Sequence, residues 1–371
     1  MLRVRRPPQL DLAVHASRAL RFFPRSDSAV VRKAVFGSLI LGALLAAGIF
    51  VAVSTGPVEI PLPNTVRAVL ASISGETSTS VTSTQQAVIE RVRMPRVIMA
   101  LSVGMALAMA GTIMQAIFRN PLADPGVIGT SGGGALGAVI MISLGFTGST
   151  LLIPAASIVG STLALLAVFA IAFLGGRMSV AALLLAGVAM SSLLGAAVSA
   201  AILTTDNFTA QREMFFWLAG GFEGTTWYSV RVIVPFVLIG GVLAVISSRD
   251  LNLLLLGDDE ARSLGINVRA FRIGMVVLAA VLTGIAVAFA GIISFVGLVV
   301  PHAIRLVAGP DHRHVVLLSA LGGAFFVLAA DTVARTVISP AELRVGIITA
   351  MIGGPAFIAL LMTTRSNRSS L

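Results

Sequence analysis

The sequence predicts an all-α membrane protein, ten transmembrane helices in a single membrane domain, on three observations. Composition comes first: 57% of the 371 residues are hydrophobic, 11% are charged and the mean hydropathy is +0.98, whereas soluble domains carry roughly 25% charged residues. Run length comes second, since a helix needs about 20 apolar residues to cross hydrocarbon and apolar runs of that order follow one another along the chain. The third is charge placement. An even number of crossings puts both termini on one side, and 18 of the 26 Lys and Arg fall on that side, which the positive-inside rule makes cytoplasmic. The net charge of +10 is thus a topology signal and gives no reason to expect nucleic acid. The absence of cysteine excludes disulfides, thiolate metal sites and thiol catalysis.

Residues 1–33 read as a basic cytoplasmic N-terminal tail (Arg3, Arg5, Arg6, Arg18, Arg21, Arg25, Arg32, Lys33) lying against inner-leaflet lipid. It is too long for the charged region of a cleaved signal peptide, so the first span, about 34–53, is expected to persist. A polar outer loop with a Ser/Thr-rich piece at 75–84 follows. The second span, from Arg96 to about Phe118, is dense in small residues (Ala106, Ala108, Ala110, Gly111) that let membrane helices approach closely. Residues 119–126 read as an inner loop, and Ser131 with Gly132, Gly133 and Gly134 opens a third span ending near Leu144.

The fourth and fifth spans occupy about 151–174 and 181–203, joined by an inner turn at 175–179. Residues 204–227 are too long for a tight turn, yet Met214 to Leu218 are too apolar for solvent, so a half-buried outer helix is expected there. The sixth span is about 230–246 and the seventh 274–290. A Gly-containing break at 291–297 precedes the eighth, which ends before Arg305. The ninth and tenth cover about 315–333 and 345–362. One internal echo stands out: 105–114 and 285–294 match at Ala106/Ala286, Ala108/Ala288, Ala110/Ala290, Gly111/Gly291 and Ile113/Ile293, on helices running in opposite directions. That is the pattern of an inverted repeat; coincidence between two Ala/Gly-rich helices is the alternative.

The longest charged interruption of the second half is 247–272. Asp258, Asp259 and Glu260 follow Gly257 and precede Arg262, Leu264 and Gly265, which reads as a short helix with acids at its positive end and a glycine stop. Elsewhere the chemistry is sparse. Of the 16 acids only Asp331 falls within an expected span, four residues from Arg335 and so placed to pair with it. Proton- or sodium-coupled transporters keep ionisable groups at mid-membrane depth, so transport without a motor is disfavoured. His15, His302, His312 and His314 form no cluster with metal-site spacing. A phosphate-binding loop needs a lysine after its glycines, and Lys33 is the sole lysine. If ATP drives this protein, a separate subunit supplies it.

Nine ordered stretches then carry a resemblance: 93–96 (Arg-Met-Pro-Arg), 119–126 (Arg-Asn-Pro-Leu-Ala-Asp-Pro-Gly), 183–187, 217–222, 257–265, 295–302 (Phe-Val-Gly-Leu-Val-Val-Pro-His), 309–313, 330–335 and 341–346. From Arg93 onward the chain resembles the permease subunits of type II ABC importers for ferric siderophores, haem and vitamin B12. The resemblance implies a transmembrane permease domain at 34–371 in the bacterial inner membrane. It implies a homodimer, two ATP-binding-cassette subunits carrying ATP and Mg, and an extracytoplasmic substrate-binding protein, with no cofactor, metal or catalytic residue on this chain. It also implies roles for residues: Leu256, Gly257, Asp258, Asp259, Glu260, Arg262, Leu264 and Gly265 in coupling to the ATPase; Arg93, Arg96 and Arg335 in docking the binding protein; and Met214, Trp217, Phe222, Ser294 and Phe295 along the pathway. Two departures are the long tail and Arg344, which adds positive charge on the outer face. The family's inner gate maps to 178–181, where Ser179 is the one polar residue. An iron chelate, haem or ferric siderophore, is the leading substrate; cobalamin and a stand-alone secondary transporter are the alternatives.

Overall fold

The computed structural model describes residues 28–56, 60–61, 63–67, 82–146, 151–174 and 179–366. Most of the basic tail, the outer piece 75–81 and Met178 of the expected gate lie outside these residues. The described helices are α1 (Ser28–Ser54), α2 (Ser83–Val88), α3 (Met94–Ile117), α4 (Thr130–Ser143), α5 (Leu152–Phe173), α6 (Val180–Leu203), α7 (Phe208–Leu218), α8 (Trp227–Ile246), α9 (Ser248–Leu256), α10 (Asp258–Ser263), α11 (Val268–Ala290), α12 (Val296–Ala308), α13 (His312–Thr336) and α14 (Val345–Ser366). A wide turn at Ile89–Arg93 joins α2 to α3, and a 3-10 turn at Pro125–Ile128 precedes α4.

Among the described residues seven helical stretches are long and apolar enough to cross a membrane, and α4, α12 and α14 form shorter apolar helices. All the expected spans are helical, but the third and eighth are cut short. At 14 and 13 residues, α4 and α12 are about 20 Å long by helical rise, against about 30 Å of hydrocarbon. Both begin inside the bundle, α4 after the 3-10 turn and α12 after the break at 291–295.

Helix α3 is the axle of the fold. Apolar attraction between helices is weak in lipid, so close packing of small residues takes its place. A Cβ on Gly104 would sit 2.2 Å from the Gly323 carbonyl oxygen of α13, and one on Gly111 would sit 1.9 Å from that of Gly297 in α12. Gly133 of α4 and Gly160 of α5 meet in the same way. By contrast α1 and α6 present mostly exposed apolar side chains, Leu39, Leu185 and Leu193 among them. The expected outer helix is present as α7, capped by Asn207, whose Oδ1 accepts from the amides of Thr209 and Ala210 at 2.9 and 3.2 Å.

Candidate functional site

The segment expected to be a rigid cytoplasmic knob is two short helices meeting at Gly257. Leu251 and Leu254 of α9 are buried, whereas Leu255 and Leu256 are exposed. Gly257 adopts φ 134°, and a Cβ there would fall 2.0 Å from the Glu260 carboxylate. Gly265 adopts φ 90° with open space around it, so its constraint is backbone strain alone. Asp259 and Arg262 pair at 2.6 Å on the exposed face, a contact worth little in water. Glu260 and Leu264 also face outward, and Ala261 is buried.

The knob is fastened from three sides. Arg119, in the turn after α3 with φ 47°, donates through Nε to the Leu254 carbonyl at 2.9 Å and through Nη2 to Asp258 Oδ1 at 2.5 Å. Arg272 of α11 donates to both Asp258 oxygens at 3.0 and 3.1 Å. Asn252 of α9 donates to Asp311 at 2.7 Å and accepts from the His312 amide at 2.9 Å. Force on α9 and α10 therefore reaches α3, α11 and α13 through named bonds. Of these anchors, sequence reasoning had reached Asp258 and missed Arg119, Arg272 and Asn252. A basic residue beside Asn-Pro just after a span was the available signal for Arg119.

Asp258 carries a pH dependence. Burial pushes its pKa up, but the hydrogen bonds and charge of Arg272, then of Arg119, outweigh this and hold it below the usual carboxylate range. Its stabilisation is thus complete above the unfolded value, about 3.9, and is lost as pH falls through the folded value. Hydrogen-exchange protection of α9 and α10 is expected to drop on acidification below that window. Asp258→Asn should lower it at neutral pH and remove the acid step.

The expected docking arginines are not free surface charges. Arg93, Arg96 and Arg335 are 3%, 7% and 4% exposed, each engaged within the chain. Arg96 Nε donates to Asp331 Oδ1 at 3.0 Å and Nη1 to Glu342 Oε2 at 2.8 Å. Close ion pairs of poorer directionality join Arg96 Nη2 to Asp331 Oδ1 at 2.9 Å and Arg335 Nε to Asp331 Oδ2 at 3.1 Å. The i,i+4 pairing of Asp331 with Arg335 is as the sequence predicts. Arg335 also donates to the carbonyls of Ala52 and Thr55 at 3.1 and 3.0 Å, and Arg93 to those of Val53 and Ser54 at 2.7 and 2.9 Å. These are the orphan carbonyls at the C-terminal end of α1, where a cation is favoured. The two arginines tie a helix with little buried surface of its own to the bundle.

The pathway residues divide. Met214 and Phe222 are 0% and 1% exposed and pack in the interior. Trp217 is half-buried, Ser294 is exposed, and half-buried Phe295 heads α12 at φ 69°, with its Cβ against Gly353. Arg344 adds less outer charge than expected, because it pairs with Glu223 and stacks over Phe216 at 4.4 Å. Ser179 caps α6, its Oγ accepting from the Ala182 amide at 3.0 Å.

The described residues form an all-helical bundle of apolar helices with a buttressed charged knob, an arrangement that suits a transport permease. The chain belongs to the FecCD transport family, whose model matches residues 44–363, and is a permease of the type II ABC importer class. It is 44% identical over 281 residues to the hemin transport system permease protein HmuU of Yersinia pestis, covering 75% of this chain and 84% of that one. It is 38% identical over 360 residues to the cobalamin import system permease protein BtuC of Halobacterium salinarum, covering 89% and 96%. A solved metal-chelate type ABC transporter in an inward-facing conformation superposes with a TM-score of 0.77 at 32% identity, over 88% of this chain and 98% of that one.

Proposed function

We propose that this chain forms, as a homodimer in the bacterial inner membrane, the ten-span translocation unit of an importer for an iron chelate, haem or a ferric siderophore. Two ATP-binding-cassette subunits bind ATP and Mg below it, and an extracytoplasmic binding protein delivers substrate from above. Both termini are cytoplasmic, and 105–114 with 285–294 mark an inverted repeat. The observation that carries the reading is the knob at 255–265: Leu255, Leu256, Asp259, Glu260 and Leu264 face outward from a base bonded to the turn after α3, to α11 and to the start of α13, as a part that transmits force from a partner must be. The 44% identity to a hemin permease supports haem, and the longer match to a cobalamin permease supports cobalamin as the second reading. The binding protein docks on the outer face over the neutralised Arg96–Asp331–Arg335–Glu342 cluster, which sets the shape and stiffness of that surface.

Purified alone, the chain is expected to show no ATP turnover, and to support it when reconstituted with its ATPase. Uptake into proteoliposomes loaded with ATP, run with haem, a ferric siderophore and cobalamin on the matching binding proteins, assigns the substrate. ATP turnover by the isolated chain would refute the reading.

A further inference from the structure

The turn between α3 and α4, expected in cytoplasmic water, folds back into the bundle. A Cβ on Gly187, a third of the way along α6, would lie 2.2 Å from the Val127 carbonyl oxygen; one on Gly297 would meet Pro125 Cδ at 2.8 Å and the Leu107 carbonyl of mid-α3 at 2.9 Å. Asp124, just before this 3-10 turn, is thereby carried to a largely enclosed cavity of about 120 Å³ beside the break between α11 and α12. Sequence reasoning, which found Asp331 as the sole acid within a span, missed it.

Asp124 Oδ1 accepts a hydrogen bond from the Gly126 amide at 2.7 Å, and no arginine or histidine pairs with it among the described residues. The cavity walls hold no second titratable group: α3 supplies Leu107, α4 Ser131, α11 Thr283 and Val287, the break Ile292, Ile293 and Ser294, and α12 Gly297. Further along α12, Arg305 is committed to Gln115 Oε1, whose amide nitrogen donates to the Gly297 and Leu298 carbonyls at 3.1 Å each. Thr283 gives its proton to the Ala279 carbonyl at 2.7 Å, which leaves its lone pairs to face a cation. Asp124 is half-buried, and a partly desolvated carboxylate without a counter-ion favours a nearby cation or its own proton. Carbonyls at a broken helix are a recurrent source of cation ligands, and the cavity has room for an ion with a few waters.

We propose that Asp124, the hydroxyls of Ser131, Thr283 and Ser294, and the backbone of the break bind one monovalent cation, a proton or an alkali-metal ion, within the bundle. The test uses the purified full chain in detergent and the Asp124→Asn variant. A bound proton gives the infrared stretch of a protonated carboxylic acid at neutral pH in the wild type, absent from Asp124→Asn. A bound alkali ion gives no such band; instead, exchanging N-methylglucamine for sodium or potassium raises the Tm of the wild type and leaves that of Asp124→Asn unmoved. Neither response in the wild type overturns the proposal. If Asp124→Asn fails to accumulate, Ser294→Ala must shift the carboxyl band or weaken the ion response, and an unaltered response overturns it equally.

Discussion

Replacing Arg96 with alanine is expected to destabilise the folded chain by about 3–5 kcal/mol, the cost of breaking a buried ion pair from one side. The side chain is 8% exposed and its partner Asp331 is 0% exposed, so water cannot take over the lost contacts. Asp331 would keep Arg335 at 3.1 Å, but that guanidinium also serves the carbonyls of Ala52 and Thr55 and cannot turn to meet a second oxygen without releasing α1. Glu342 would lose its 2.8 Å partner altogether. Unfolding in mixed SDS micelles measures the loss, and Arg91→Ala, at an exposed position, is the matched control. Adding Asp331→Asn to Arg96→Ala should recover part of the stability, because it removes the stranded charge. Arg96→Ala with unchanged stability and weakened binding-protein affinity would instead return this arginine to the docking surface.

The fold was legible where one physical signal acts alone. Apolar run length and cation asymmetry place the long helices, since lipid requires every backbone group of a span to be satisfied internally. The acids after Gly257 gave α10, with Gly265 at its end, for the same kind of local reason. Three things were not legible. The i,i+4 pair of Asp331 with Arg335 was local and legible, but a positive-inside count sees depth along the membrane normal and is blind to what lies sideways, so it missed the bonds of the arginines to the carbonyls near the end of α1 and of Arg96 to Asp331 and Glu342, up to 283 residues away in sequence. The burial of Met214 and Phe222 was hidden as well, because apolarity does not distinguish a pathway from a core. The stretch 119–126 read as a loop because its prolines and glycine stop helices, and nothing local says that a loop re-enters the bundle. The echo of 105–114 in 285–294 shows the same limit. Gly111 lies mid-helix at a close crossing, whereas Gly291 ends α11 at φ 67°, so one matched letter performs two physical tasks.

Gly111→Leu is expected to cost at least as much as any overpacking substitution, about 3 kcal/mol or more, and to prevent α12 from seating. The reason is the kind of atom in the way. A Cβ at this position would stand 1.9 Å from the Gly297 carbonyl oxygen and 2.5 Å from Gly297 Cα. Both are backbone, so no rotamer change relieves the clash and the helices must part by about 1.5 Å to restore ordinary contact. Separation there would also break the Gln115 bonds to the Gly297 and Leu298 carbonyls and release Arg305 from its partner. Alanine should already destabilise, with leucine worse, whereas Gly274→Ala, at an exposed position of α11 with nothing within 4 Å of the new carbon, should be neutral or stabilise by about 0.5–1 kcal/mol. Thermal unfolding of the three variants in one detergent separates close packing from general helix propensity. Equal Tm values for Gly111→Ala and Gly274→Ala would show that α3 and α12 do not touch at this crossing.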